Sequence, residues 1–292
     1  MTTSLPENGV SPPPNRSRES RIDRERYRPA LVVTDLDGTA IDSPTSDTAS
    51  PRLTTAVAVL EEMGTRVVGA TGRSGRWSSE SMRSMGLRGL GVVLGGSMIL
   101  DTQSKDIVWS RPLEPADQEA LAVVLSAFTF PCAVWNDFEG DTFLSGLHPL
   151  TKDACVDPLY FLALQDLPDD VSERVLSALE GIPGIAVSSM ISSRTGVGTE
   201  LHVTNVRATK RHAVEEVLLR YRVSQHDTIG VGNADNDLGL LAACGYGVCV
   251  AGSSRRLTEV ADRIIGRVGE DGLAVYFEEL AELPPDPSRV TE

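Results

Sequence analysis

The sequence lacks the features that mark membrane, secreted and nucleic-acid-binding proteins. No apolar run approaches 18 residues, so no transmembrane helix is expected. The start has no apolar stretch of the secretory kind, which favours a cytoplasmic protein. Lysine and arginine number 27 against 41 aspartate and glutamate, giving a net charge of −14. Nucleic acids and anionic membranes both select a basic face, so neither is an expected partner.

Cysteine is also scarce, and its spacing excludes two kinds of site. The four cysteines are Cys132, Cys155, Cys244 and Cys249. None forms a Cys-x-x-Cys pair or accompanies a histidine cluster, which argues against a structural zinc site or a redox pair. We therefore expect reduced, buried cysteines in a cytosolic protein.

The first 27 residues contain almost nothing apolar to bury. They carry Ser11-Pro12-Pro13-Pro14 and then a mixture of Arg, Ser, Glu and Asp, so residues 1–27 are expected to be a disordered tail. The whole chain is 41% hydrophobic and 23% charged over 292 residues. That composition predicts a soluble globular protein of one large or two modest domains.

A pair of aspartates follows the first apolar run. Leu31 to Val33 predicts a buried strand of a parallel sheet, and it leads into Asp35-Leu36-Asp37-Gly38-Thr39. Residues i and i+2 of an extended chain point to the same side, so Asp35 and Asp37 converge past the strand's end. Open α/β sheets bind ligands at that edge.

Two adjacent carboxylates repel each other, and Mg²⁺ relieves that repulsion while leaving room for a phosphate. One carboxylate can then attack phosphorus, and the other can protonate the leaving oxygen and later activate water. The alternative is a strand-end turn in which both carboxylates bond only to backbone. The full Asp-x-Asp-Gly-Thr motif directly after an apolar strand favours catalysis.

Three further motifs follow in order. A second strand, Thr65 to Ala70, runs into Thr71-Gly72-Arg73-Ser74, where a threonine can offer hydroxyl and backbone N–H to a phosphate. Lys210 begins a predicted helix that ends at Tyr221. A strand from Asp227 to Val231 leads into Gly232-Asn233-Ala234-Asp235-Asn236-Asp237, which lacks the third glycine of a dinucleotide fingerprint. Taken singly, Thr71 would suit a helix cap and Lys210 an ordinary surface position.

Together the four motifs resemble the haloacid dehalogenase superfamily of phosphatases, in the Cof-type and sucrose-phosphatase-like branch. The resemblance covers about residues 29 to 283. It implies an α/β fold, in which a doubly wound, parallel-sheet (Rossmann-like) core carries an inserted α+β cap domain. It also implies Mg²⁺-dependent hydrolysis of a small phosphorylated metabolite, most simply a sugar phosphate, through an aspartyl-phosphate intermediate.

The resemblance assigns a role to each matching residue. Asp35 would be the nucleophile and Asp37 the general acid and base. The implied phosphate-binding residues are Thr71, Gly72, Lys210 and Asn236. The implied metal-binding residues are Asp35, Asp37 through its carbonyl, Asn233, and Asp237 in support. Arg207 and Arg211 are weaker alternatives to Lys210.

One position departs from the family pattern. The fourth motif usually reads Gly-Asp-x-x-Asn-Asp, and here Asn233 stands where that first acid binds Mg²⁺ directly. Asparagine still offers an oxygen but contributes no charge, and Asp235 could swing in instead. The departure keeps open a phosphate-ester binding or regulatory protein with weak turnover. A phosphotransferase that delivers the phosphoryl group to an acceptor other than water is a further alternative.

The predicted division of the chain follows the motifs. Residues 28–97 and 205–283 would form the core, 98–204 the cap, and 284–292 a loose C-terminal tail. The cap would open with the hairpin after Gly95-Gly96, where the branch usually has Asn-Gly. His148 and His202 fall in or near the cap, and without a second ligand beside them we expect packing or surface roles. A monomer or small homo-oligomer is expected.

Overall fold

The computed structural model describes residues 25–43, 45–136, 141–148, 158–192 and 195–289. Residues 1–24 of the expected tail and Cys155 lie outside this range, as does the side chain of His148. Within the described segments, no helix is both long enough and apolar enough to cross a membrane.

Thirteen strands are described. They are β1 (Leu31–Asp35), β2 (Arg66–Ala70), β3 (Leu90–Val93), β4 (Met98–Asp101), β5 (Ile107–Ser110), β6 (Phe130–Asn136), β7 (Asp141–His148), β8 (Phe161–Leu167), β9 (Ile185–Ile191), β10 (Thr199–Asn205), β11 (Thr228–Gly232), β12 (Tyr246–Val250) and β13 (Arg263–Ile265). The described α-helices are α1 (Pro51–Glu62), α2 (Gly75–Ser84), α3 (Pro115–Leu125), α4 (Asp169–Leu179), α5 (Lys210–Tyr221), α6 (Leu238–Ala243), α7 (Arg255–Val260) and α8 (Gly272–Glu282).

The core sheet has the order β13-β12-β11-β1-β2-β3-β4-β5, and β1 pairs in parallel with both β2 and β11. Alternate residues of β1 enter different hydrophobic clusters, because successive side chains of a strand point to opposite faces. Val32 packs with α1 and α8, and Val33 packs with α5 and α6. Helices therefore cover both faces, which confirms the expected α/β class and explains the purely apolar run of β1.

The start of α1 follows the sequence signal. The Ser50 side chain accepts a hydrogen bond from the Leu53 N–H at 3.1 Å, and Pro51 occupies the first helical position. Such a cap stabilises the folded helix by about 1 kcal/mol. It fixes where the helix begins after the long loop that leaves β1.

The inserted lobe has a separate antiparallel sheet of order β7-β6-β8-β10-β9. Its core includes Leu162 and Leu201 from the sheet, Leu121 from α3 and Val175 from α4. Strand β8 lies at the centre of this sheet, and no strand was predicted for it from the sequence. Short apolar runs such as Phe161–Leu164 show no period that separates strand from helix.

The predicted hairpin exists, but it belongs to the core. Strand β4 pairs antiparallel with β3 and β5 pairs antiparallel with β4, so both extend the core sheet and the lobe begins after Ser110 and not at residue 98. The two connections to the lobe lie side by side, since the Asn205 Nδ2 donates to the Pro112 carbonyl at 2.9 Å. The expected boundary at 98 was wrong because the hairpin finds its partner strand in the core.

The C-terminal segment is tied to the core as far as residue 289. Arg289 donates to the Arg28 carbonyl at 2.7 Å and pairs with the Asp227 carboxylate. Pro285 forms an isolated bridge with Arg28. The expectation of a loose tail therefore fails for residues 284–289.

Candidate active site

The carboxyl ends of β1, β2 and β11 meet at one edge of the core sheet. After β1 the chain turns sharply, because the Leu36 carbonyl accepts from the N–H groups of residues 39, 40 and 41. Gly38 adopts a φ of +76°, a conformation that costs glycine little. The turn leaves Asp35 buried beside the end of β11 and Asp37 half-exposed toward β2.

Lys210 lies buried between two carboxylates. Its Nζ donates to Asp35 Oδ1 at 2.6 Å and to Asp237 Oδ1 at 2.7 Å. The lysine is the first residue of α5, and the start of that helix packs against Gly96. A Cβ at Gly96 would lie 2.2 Å from the carbonyl carbon of Thr209. Glycine at position 96 therefore lets α5 approach closely enough to deliver Lys210.

The buried charges shift each other's protonation. Burial raises the pKa of Asp35 to about 7, the charge of Asp237 adds to this, and Lys210 opposes it. Burial lowers the pKa of Lys210, but the charges of Asp237 and Asp35 outweigh that effect and raise it. The ammonium thus stays charged, and the raised Asp35 pKa indicates that Lys210 alone does not offset the cost of ionising this buried carboxylate. A second cation would stabilise this arrangement.

Asp37 has a different partner. The Arg73 Nε donates to Oδ1 and Oδ2 at 3.0 and 2.9 Å, and Nη2 donates to Oδ1 at 2.5 Å. The Thr71 hydroxyl lies 3.5 Å from Asp37 Oδ2 and accepts from the Arg73 N–H at 3.1 Å. Arg73 was not assigned a role from sequence, although its place in the Thr-Gly-Arg-Ser motif was the available signal.

The turn after β11 places Asn233 beside the first motif. A Cβ at Gly38 would lie 2.2 Å from Asn233 Nδ2, so the amide lies against that glycine. Both oxygens of Asp237 are engaged, Oδ1 with Lys210 and Oδ2 with the backbone N–H of Asn233 at 2.9 Å and of Ala234 at 3.2 Å. Asp237 therefore supports the turn and is not free to act as a direct metal ligand.

Asp235 points elsewhere. Its Oδ1 accepts from the Ser254 hydroxyl at 2.5 Å and its Oδ2 from Arg256 at 3.4 Å. Among the alternatives to Lys210, Arg211 pairs with Glu215 at 2.9 Å on its own helix, and Arg207 is exposed. In this structure Asp235 is held by Ser254 and Arg256, and neither arginine takes the place of Lys210 between Asp35 and Asp237.

Three of the four expected phosphate-binding residues border two adjoining cavities. Gly72 and Asn236 line a cavity of about 1240 Å³ that also contains Asp35 and Asp37. Lys210 and Asn236 line an adjoining cavity of about 700 Å³. The Asn236 Oδ1 is buried without a hydrogen-bond partner, so its acceptor capacity is unmet in this structure.

The donors present fit a hard divalent cation. Mg²⁺ takes oxygen ligands, and the site offers the Asp35 carboxylate, the Asp37 carbonyl and the Asn233 amide oxygen. Hydrogen bonds within the turn use the carbonyls of Leu36 and Ile41 and not that of Asp37. In the part of the chain that the structure describes, no three His, Cys, Asp or Glu side chains cluster around a metal position.

Comparison with known protein families shows which family this chain belongs to. The family model described as haloacid dehalogenase-like hydrolase matches residues 32–141 and 168–277, well over half of the chain. The chain belongs to this family. The matched segments contain Asp35, Lys210 and the turn after β11, so the site lies in the part of the chain that the family defines.

Two relatives have sequences similar to that of this chain. YkrA of Bacillus subtilis strain 168, whose name assigns it provisionally to the phosphatases, is 26% identical over 263 residues, 87% of this chain and 98% of that protein. A phosphoglycolate phosphatase of Methanopyrus kandleri is 27% identical over 118 residues, which is 40% of this chain and 48% of that enzyme.

Solved structures of haloacid dehalogenase-like proteins share the fold. A hydrolase of this kind from B. subtilis superposes with a TM-score of 0.71 at 15% identity, covering 85% of this chain and 99% of that one. The subclass IIB sugar phosphatase BT4131 gives a TM-score of 0.69 at 14% identity, covering 85% and 97%. At such identities the likeness establishes the architecture of core and inserted lobe.

Proposed function

We propose that this chain is a Mg²⁺-dependent phosphatase that hydrolyses a small phosphorylated metabolite, most simply a sugar phosphate. One observation carries the proposal: buried Lys210 bridges Asp35 and Asp237 beside the separately held Asp37. This arrangement offers one carboxylate aimed by a fixed cation and a second carboxylate able to exchange protons with the cavity.

The first half-reaction would use both aspartates. An Asp35 carboxylate oxygen attacks phosphorus as the bond between phosphorus and the ester oxygen breaks. Asp37 gives its proton to that oxygen, so the product leaves as an alcohol and Asp35 carries the phosphoryl group. Thr71, Gly72, Lys210 and Asn236 hold the phosphoryl oxygens, with the fixed charge of Lys210 stabilising the transition state.

The second half-reaction would restore the enzyme. Asp37, now a carboxylate, accepts a proton from water as the water oxygen attacks phosphorus. The bond between phosphorus and Asp35 breaks, releasing inorganic phosphate and regenerating the carboxylate. Arg73 holds both oxygens of Asp37 and so keeps the acid and base beside the ester oxygen.

The metal would be held by Asp35, the Asp37 carbonyl and Asn233, with Asp237 orienting the turn that carries Asn233. When bound, Mg²⁺ would supply positive charge to the phosphoryl group. The lobe would close the cavity and exclude water from the phosphorylated aspartate. The names of BT4131 and the M. kandleri enzyme support a small phosphorylated substrate.

A weakly active phosphate-ester binding protein is the second candidate, and Asn233 alone favours it. The missing negative charge weakens a hard-cation site without removing an oxygen donor. Turnover separates the candidates, since a binding protein retains esters without releasing phosphate.

The test is a phosphate-release screen of sugar, polyol and carboxylic-acid phosphates, with Mg²⁺ and with a chelator. We expect release from at least one ester, dependent on Mg²⁺ and absent in Asp35→Asn. Tight binding of an ester by the wild type without any release would support the second candidate instead.

A further inference from the structure

We propose that His202 of the inserted lobe binds a hydroxyl group of the substrate's leaving group, and that Glu200 is its positioning residue. The inference rests on the proposed phosphatase function and deepens it. It assigns recognition of the leaving group to one pair of side chains on β10, where the sequence led us to expect packing or surface roles for histidine.

Glu200 is a buried carboxylate with polar partners. Its side chain is only 3% exposed. Oε1 accepts from His202 Nε2 at 2.7 Å and from Gln165 Nε2 at 3.1 Å. Burying an unpaired carboxylate is costly, so this position requires such partners. The contact fixes which ring nitrogen of His202 faces Glu200 and leaves Nδ1 for another partner.

The His202 ring is oriented toward the phosphate-binding loop. It packs edge-on against Phe161 with ring centroids 4.7 Å apart, which restricts its rotation. A Cβ at Gly72 would lie 3.1 Å from His202 Cε1 and 3.5 Å from Nδ1. Glycine at 72 therefore makes room for a lobe side chain at the loop that would hold the phosphoryl group.

His202 also borders both cavities, together with Asn236. A substrate whose phosphate contacts Asn236 and Lys210 thus places its leaving group beside His202. The phosphate already has a full set of proposed partners on the core. His202, on the lobe, is therefore available to contact the leaving group, which is the part of the substrate that carries the phosphate.

The described lining of the large cavity favours a neutral, hydroxylated leaving group. On the lobe side the large cavity presents hydroxyl, amide and carboxylate groups, namely Gln165, Ser189, Ser192, Thr199 and Glu200. Of its described lining residues, the only lysine or arginine is Arg73, which is engaged by Asp37. A second anionic group on the substrate would meet Asp169, Glu200 and Asp235 without an unengaged lysine or arginine in that lining. Hydroxyl groups can pair with all of these side chains.

The rival explanation is that Glu200 only ties β10 to β8 through Gln165. In that case loss of the carboxylate would destabilise the lobe and reduce activity on every ester by the same factor. Selective recognition instead predicts a change in the ratio between esters with and without hydroxyl groups. The ratio is therefore the decisive measurement.

The experiment compares wild type, His202→Gln, Glu200→Gln and Glu200→Ala with the matched control Glu173→Gln, an exposed glutamate on α4. Each full-length protein is assayed with Mg²⁺ on a panel of hexose, pentose and polyol phosphates, on phosphoglycolate, and on p-nitrophenyl phosphate, which carries no hydroxyl. Melting temperatures are recorded for all five.

We expect kcat/KM on the best sugar or polyol phosphate to fall at least tenfold more than on p-nitrophenyl phosphate for His202→Gln. Glu200→Ala should lower the same ratio, and Glu200→Gln should rescue part of it because the amide oxygen still accepts from His202. The control should leave the ratio unchanged.

An unchanged ratio in His202→Gln and Glu200→Ala, with or without a lower melting temperature, would overturn the assignment but not the phosphatase function. Preference of the wild type for phosphoglycolate over every sugar and polyol phosphate would overturn the inferred leaving-group class. No release from any ester, including p-nitrophenyl phosphate, would overturn the proposed function and this inference together.

Discussion

Asp35 and Asp37 are two residues apart and identical in chemistry, yet the structure gives them opposite surroundings. Asp35 is buried against Lys210 and Asp237, whereas Asp37 is about one-third exposed and held by Arg73. Different environments allow two carboxylates to take different roles in one reaction. The roles proposed here, Asp35 as nucleophile and Asp37 as proton carrier, rest on the order of the motif, because the raised Asp35 pKa in the cation-free site would by itself favour a proton on Asp35.

Asp35→Asn should abolish phosphate release while leaving the protein folded, because the amide cannot serve as the nucleophile. The measurement is phosphate release with Mg²⁺, alongside circular dichroism and melting temperature. Asp106→Asn, at an exposed position in the β4–β5 turn, is the control and should behave as wild type. Near-wild-type phosphate release by folded Asp35→Asn would show that Asp35 is not the nucleophile.

Lys210→Ala should lower kcat/KM by roughly two orders of magnitude or more, since it removes preorganised charge at the phosphoryl group. Arg211→Ala, at the next residue on α5, removes a partly exposed cation that is paired with Glu215, and should change kcat/KM less than threefold, within about 0.7 kcal/mol of wild type. Comparable losses in the two variants would contradict the assignment of the phosphate contact to Lys210.

Asn233→Asp should tighten Mg²⁺ binding, because ligand charge count tunes affinity for hard cations and the reach of the oxygen is unchanged. Activity should rise at limiting Mg²⁺ and converge with wild type at saturation. Calorimetric titration with Mg²⁺ measures affinity independently of turnover.

Superimposable Mg²⁺ curves for the two proteins would show that residue 233 does not contact the metal. Asp235→Asn is the matched control, since its carboxylate is engaged by Ser254 and Arg256. We expect it to leave Mg²⁺ affinity unchanged.

At the scale of elements, the site depends on how closely α5 approaches the loop after β3. Gly96 has a φ of +109° and lies against the backbone of Thr209 and Lys210. Helix α5 otherwise packs its apolar face, including Val214 and Val217, on the sheet. The loop therefore positions Lys210 through backbone contact and not through a side chain.

Gly96→Ala should destabilise the protein by about 2 kcal/mol or more and lower turnover. The added Cβ would be strained at this positive φ and would clash with the backbone at the start of α5. The control is Gly64→Ala, which has a similar φ of +89° with nothing within 4 Å. This control measures the effect of backbone strain without the contact with α5. If the two variants show equal melting temperatures and equal activity, close packing of α5 on residue 96 is not what positions Lys210.

At the scale of the whole molecule, the lobe is a separable insertion. Its two connections meet where Asn205 donates to the Pro112 carbonyl, so a short linker can replace everything between them. The hairpin of β4 and β5 is different, since Met98, Ile99 and Leu100 are buried in the core clusters.

Replacing residues 113–204 with a short linker should give a folded core that hydrolyses p-nitrophenyl phosphate but no longer ranks substrates as the parent does. The lobe carries His202 and most of the polar lining outside the motif loops. Replacing residues 98–204 should instead prevent folding, because two strands of the core sheet are lost. A soluble 113–204 deletion that keeps the parent's substrate ranking would show that the lobe does not set specificity.

Features that depend only on neighbouring residues were predictable from the sequence alone. The apolar run of β1, the turn at Gly38, the cap at Ser50 and the helix beginning at Lys210 all follow from residues within one turn or strand. The four motifs, in order, were enough to predict the family and the α/β core, because their residues are contiguous at strand ends.

Only the tertiary structure decided which side chains meet. Strand β8 and the core membership of the β4–β5 hairpin depend on partners distant in sequence, which periodicity does not report. The same holds for Arg73 on Asp37, for Asp235 turned toward Ser254, and for His202 over Gly72. Each of these contacts joins segments that only the folded chain brings within hydrogen-bond reach, and the selection of a substrate depends on such contacts.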